Sequence, residues 1–156
     1  MNFPPFLRKI MEEGQYTNDQ VFNMNESVLY WKTLPSKTFV VKSASKCWGH
    51  KMQKERITVL FTTNASGTAK LKLSVIHKAR KPYAYKNMDM RKLNVHWLTS
   101  GKAWMLSGLS LSWLDTCLVP DVKKFCVQNN VPFNILLLLD NTPGHSPILL
   151  DRHPNV

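Results

Sequence analysis

Apolar and polar positions alternate with a period of two in two stretches near the middle of the chain. In residues 56–63 the alternating set is Ile57, Val59 and Phe61; in residues 71–77 it is Leu71, Leu73 and Val75. Side chains on a strand point to opposite faces in turn, so this period predicts two strands, each with one face toward a core. Between them Asn64, Ala65, Ser66 and Gly67 supply turn chemistry, and the pair predicts an antiparallel hairpin. A different rhythm governs residues 107–128, where Leu111, Leu114, Leu118, Val122, Phe125 and Cys126 return at steps of three and four. That spacing puts them on one face of a helix. Pro120 interrupts it, which predicts a kink or a second helix starting at the proline. After the stop at Asn129, Asn130, Val131 and Pro132, residues 133–139 are apolar with little alternation. Such a run predicts a strand buried on both faces, central in an α/β sheet. It ends in Asp140, followed by the turn Asn141, Thr142, Pro143, Gly144, His145.

The remaining segments are shorter. Phe6, Leu7, Ile10 and Met11 share a helical face and predict a helix over residues 6–13, closed by Gly14. Residues 21–25 and 38–41 read as short strands, residues 42–56 as a basic loop, and residues 82–101 as a mixed stretch. Trp97 and Trp104 are expected to be partly buried. Strands, then helix, then a buried strand predict an α/β fold: a mixed sheet with flanking helices. Ligands of such sheets gather at the carboxyl ends of strands, where Asp140 and Asn25 fall.

Charge adds a direction to this picture. Against 10 Asp and Glu the chain carries 21 Lys and Arg, a net charge of +11 in 156 residues. A surplus of that size concentrates polyanions near the surface, nucleic acid among them, without specifying any sequence. The candidate phosphate contacts are Lys42, Lys46, Lys51, Lys54, Arg56, Lys78, Arg80, Lys81 and Lys86. With 44% hydrophobic residues the composition excludes disorder throughout. Cys47, Cys117 and Cys126 are too few and too scattered for a disulfide framework and suit a reducing compartment. Cys47 and His50 have half the spacing of a zinc site, with no second pair to complete it. The N-terminus lacks the apolar core of a signal peptide, and the aliphatic run Ile135–Leu139 is too short to span a bilayer.

Several of these segments together resemble one family. The stretch from Leu136 to His145 is similar to the Leu-Leu-Asp-Asn-Ala-Pro-Gly-His signature of pogo-type transposases, the Tigger, jerky and centromere protein B relatives within the DDE superfamily of endonucleases. The stretch from Val21 to Trp31 resembles their first motif, a strand ending in Asn-x-Asp-Glu-Thr with an aromatic–Trp pair after it. Leu34–Thr38, Arg56–Leu60, Lys70–Leu73, Lys102–Met105 and Val131–Phe133 continue the likeness in the same order along nearly the whole chain.

The resemblance implies an RNase H-like fold and phosphoryl transfer on DNA, in which three carboxylates hold two Mg²⁺ ions. On that alignment Asp140 is the second acid and is intact, while the first falls on Asn25, a neutral amide. Glu26 cannot simply replace it, because neighbours on a strand face opposite sides. The third acid would lie beyond Val156, and Asp151 follows Asp140 too closely to serve. The expectation is therefore a C-terminally truncated, partial DDE-type domain over residues 1–156, without the family's helix-turn-helix module. It would need no cofactor, be catalytically inactive and nuclear, and bind DNA weakly and without sequence preference. Two alternatives stand beside it: a protein that docks on full-length transposase-like relatives, and a metal-dependent nuclease recruiting Glu26 and Asp151.

Overall fold

A computed structural model describes residues 4–32, 39, 55–145 and 147–156. A helix, α1 (Pro5–Glu13), leads through a turn into β1 (Val21–Tyr30), followed by β2 (Arg56–Asn64), β3 (Ser74–His77) and β4 (His96–Thr99). Helices α2 (Ser107–Trp113) and α3 (Val119–Asn129) come next, then β5 (Leu136–Leu138). The strands form one mixed sheet in the order β4-β3-β2-β1-β5. β2 is antiparallel to both β1 and β3, whereas β4 and β5 are parallel to β3 and β1.

The predicted hairpin is present, but the alternating set Ile57, Val59 and Phe61 lies on the less buried face of β2, and Thr58 and Leu60 face the core instead. β2 and β3 pair antiparallel through Thr58↔Ile76, Val59↔Val75 and Leu60↔Ser74, with an outlying bridge at Thr63↔Lys70. Gly67 has φ 75°, a backbone conformation that a side chain disfavours. Asn64 fixes the turn by accepting a bond from Ala69 N at 2.9 Å and donating to Thr68 Oγ1 at 3.0 Å.

On one face of the sheet Phe22, Met24, Thr58, Leu60 and Ile76 are buried against Trp113, Leu114, Leu118, Val122 and Cys126 of the helical segment. Trp113 is the largest fully buried side chain, and its indole N–H finds Ser74 Oγ at 3.1 Å. The helical period thus does what the sequence predicts. The break at Pro120 takes a specific form: residues Leu114–Leu118 wind as a π-helix, with Val119 N–H bonding to Leu114 O, five residues back. Proline has no N–H and its ring crowds the carbonyl four residues earlier, so widening the preceding turn keeps one continuous helix instead of two. Asn130, left-handed at φ 54° and ψ 38°, ends it, with Asn130 N–H and Val131 N–H both bonding to Cys126 O.

Three further expectations change. β5 is not central but outermost among the described strands, and its three residues are half-buried instead of enclosed on both faces. An unbroken apolar run reports burial against something, and cannot say whether a neighbour lies on one edge or two. β4 has no counterpart among the predicted strands, because four residues in the mixed stretch 82–101 are too few to display a period. Trp97 is part-buried as expected, against His77 and Tyr85, whereas Trp104 is half exposed. The predicted strand 38–41 lies outside the described residues apart from Phe39, as do Cys47, His50, Lys42, Lys46, Lys51 and Lys54.

Candidate functional site

β1 and β5 run parallel with Val21↔Leu136, Phe22↔Leu137 and Asn23↔Leu138 in register. Continued two residues, that register brings Asn25 level with Asp140 just past the end of β5. A buried amide sets it: Gln20 Nε2 donates to Asn134 O at 2.9 Å and Pro132 O at 3.3 Å, and Leu136 N–H bonds to Gln20 O.

Asn25 pairs with Phe61 across β1 and β2 and lies with it on the exposed face, its Oδ1 accepting the N–H of Glu26 at 2.9 Å. Glu26 points the other way, toward the helices, as strand geometry requires. There it meets His145: Nε2 lies 3.2 Å from Glu26 Oε1, and Nδ1 lies 2.9 Å from Asp140 Oδ1 and 2.8 Å from the Asp140 carbonyl. The His145 side chain is only 7% exposed, whereas Asp140 is 59% exposed. The residue pattern singles out Asp140 and Asn25, yet Asp140 meets Thr142 Oγ1 at 3.2 Å and His145, through which it reaches Glu26. The signal was available in the Asp-x-x-x-x-His spacing, although only the fold supplies the second carboxylate. The side chain of Asp151 lies outside the described residues.

The turn holding His145 is seated by close approach. A Cβ on Gly144 would stand 3.0 Å from Met105 O and 3.3 Å from Met105 Cβ, so a larger residue would push the turn away. Ser107 Oγ donates to Pro143 O at 3.4 Å on the same side. Among the described residues no three His, Cys, Asp or Glu side chains form a group that could hold a metal ion.

Charge gathers elsewhere on the surface. A cleft of about 710 Å³ is bordered by Lys70, Lys72 and Lys124, and a second of about 650 Å³ by Lys72, Arg80, Lys81 and Arg91. Lys72 lines both. Arg91 is engaged by Asp89, whose carboxyl that contact holds below its ordinary range. Of the predicted phosphate contacts, Arg80 and Lys81 border this surface and Lys78 is exposed nearby in sequence. Arg56 does not join them: it is half-buried and stacks on Trp104. Lys70, Lys72 and Lys124 were missed because they come from a loop and a helix that only the fold brings together. Cys117 and Cys126 are buried free thiols whose pKa burial pushes up, making them packing residues and poor nucleophiles.

A five-stranded mixed sheet with flanking helices, its first strand paired in parallel with β5 shortly before Asp140, is consistent with an RNase H-like nuclease fold. Residues 54–154 match the DDE superfamily endonuclease family, and the chain belongs to it. It is 30% identical over 151 residues to human Tigger transposable element-derived protein 7, covering 92% of this chain and 27% of that protein. Likeness to the human Jerky protein homolog is 31% over 145 residues, covering 92% of this chain and 25% of the relative. Mouse Tigger transposable element-derived protein 4 is 31% identical over 137 residues, 85% of this chain and 25% of its own length. The chain thus spans about a quarter of the length of these relatives. No solved structure matches it. No helix among the described residues is long and apolar enough to cross a membrane.

Proposed function

We propose that this transposase-derived domain no longer catalyses phosphoryl transfer and acts as a weak, sequence-indifferent DNA-binding protein of the nucleus. The observation that carries the first half is Asn25. At the position where the family's first motif has an acid, it offers a neutral amide oxygen already occupied by the N–H of Glu26. The donors within reach do not fit two Mg²⁺ ions. Magnesium is a hard cation that wants several charged or water oxygens in near-octahedral order. Here Asp140 is tied to His145, and the nearby Glu26 is drawn to the opposite side of the strand from Asn25. The second half is supported by the net charge of +11 and by the two clefts bordered by Lys70, Lys72, Lys124, Arg80 and Lys81, which share Lys72. Contacts of this kind neutralise phosphates and release counterions, which gives affinity that falls with salt.

Incubation of the chain with supercoiled DNA and Mg²⁺ or Mn²⁺ is expected to give no nicking. Asn25→Asp is expected to raise Mg²⁺ affinity severalfold by calorimetry, since it adds a carboxylate level with Asp140. Metal-dependent nicking by the unmodified chain, lost in Asp140→Ala, would overturn the inactive reading.

A second reading, docking on a full-length relative, is favoured by the position of β5. As the outermost described strand it has no described strand on its far side, and exposed Leu150 borders the same cleft as Leu136 and Leu137. Co-purification with an intact Tigger-type protein tests it.

A further inference from the structure

We propose that the cleft between the start of β2 and the 142–144 turn is a pocket for one unpaired nucleotide of DNA, with Trp104 as base platform and Arg56 as phosphate anchor. The proposal rests on the DNA-binding reading and gives it a place and a substrate form. The cleft has a volume of about 460 Å³, within the range of small-ligand sites, and Val28, Leu106 and Pro143 supply apolar walls.

Arg56 is the feature that asks for a ligand. Its guanidinium sits 4.4 Å from the centre of the Trp104 ring, and its Nε is buried without a hydrogen-bond partner. Among the described residues no carboxylate pairs with it. Glu55 is taken by Lys32 at 2.7 Å. Glu26 also borders the cleft, but the β1–β2 register sets it opposite Leu60 while Arg56 is opposite Tyr30. Four residues of strand, roughly 14 Å at ~3.4 Å each, separate them, and His145 holds the Glu26 carboxylate. A guanidinium presents donors in a planar fork that matches phosphate oxygens, and leaving its Nε donor buried and unmet is unfavourable.

Trp104 supplies the second half. Trp104 is 50% exposed even with Arg56 over its ring, leaving it open to another flat partner. A base inside a duplex has both faces covered by its neighbours and cannot use that surface, whereas an unpaired base can. Stacking with a nearby phosphate contact is how single-stranded nucleic acid is held without reading its sequence. The pocket's other border is the turn seated by Gly144 on Met105, which ties it to Asp140 and His145.

The test compares the full chain with Trp104→Ala, Trp104→Phe and Arg56→Gln by fluorescence anisotropy. Three labelled probes are used: a blunt duplex, the same duplex with a single-stranded overhang, and an eight-residue oligothymidylate. The overhang duplex is expected to bind at least about fivefold tighter than the blunt one, the lower end of what one stacked base contributes. Trp104→Ala and Arg56→Gln should remove that difference and weaken the oligothymidylate, leaving blunt-duplex binding unchanged. Trp104→Phe should keep most of it, with unaltered circular dichroism showing the fold intact. Equal binding of blunt and overhang duplexes, or a Trp104→Ala loss common to all probes, overturns the pocket. If neither duplex binds, the wider DNA reading falls and the oligothymidylate decides: binding lost in Trp104→Ala still supports the pocket, and no binding overturns it too.

Discussion

Between the first helix and the first strand, Gln20 is 4% exposed and uses both ends of its amide. Its Oε1 accepts from Thr17 N–H at 3.1 Å and from Thr17 Oγ1 at 2.9 Å, while Nε2 reaches the carbonyls of Pro132 and Asn134. One side chain therefore joins two loops more than a hundred residues apart and holds β5 in register with β1. A Gln20→Leu chain keeps the volume but strands those partners, at a cost of about 1–3 kcal/mol for buried groups left unmet. The expected outcome is a lower midpoint in denaturant unfolding with an unchanged slope. An unchanged midpoint would show that the amide does not hold this junction. Nothing in the hydrophobic pattern marks Gln20, whose role depends on carbonyls contributed from the far end of the chain.

At the level of elements, the long helical segment is legible from its three- and four-residue steps, and the proline correctly marks a disturbance. That the disturbance becomes a π turn is set by packing. Leu114, Cys117, Leu118 and Val122 are all buried on the same core, and two separate helices would have pulled part of that set away. The same segment anchors the chain beyond β5. Arg152 reaches back to Asp115 with Nη2–Oδ2 at 2.7 Å, and this contact holds the Asp115 carboxyl below its ordinary value of 3.8. A lowered carboxylate pKa means the pair contributes fully above the unfolded value and is lost as pH falls through the folded one. The anchoring is therefore expected to be intact at neutral pH and to weaken below pH 3.8. NMR titration should place Asp115 below that value, and Arg152→Ala should return it upward. A midpoint indifferent to the substitution would remove Arg152 as the cause. Both groups are substantially exposed, so salt should weaken the effect.

For the whole molecule, the question is where the positive charge meets a polyanion. Lys72 borders both basic clefts and Lys124 faces the first from α3, so these positions should carry phosphate contacts that the loop after β3 alone does not. Charge reversal at Lys72 is expected to weaken duplex binding more than the same change at Lys78. It should also reduce the slope of log affinity against log salt by about one for each phosphate no longer neutralised. Anisotropy titrations across a salt series check this. Equal effects at Lys72 and Lys78 would mean a diffuse surface and no defined track.

The family, the hairpin, the helical face and the neutral amide at Asn25 can all be read along the chain before any fold is known. Each of these lies in local order: a motif, a period, or a residue type at one position. The partners of those residues came from the fold alone. It set β5 at the edge of the described sheet, turned Asn25 and Glu26 to opposite faces, and brought His145 between Glu26 and Asp140. It also left Arg56 stacked on Trp104 with no acid among the described residues to answer it. Period and propensity act between residues a few positions apart, whereas these contacts join segments separated by tens of residues. Their geometry follows from how the strands pair and the helices pack.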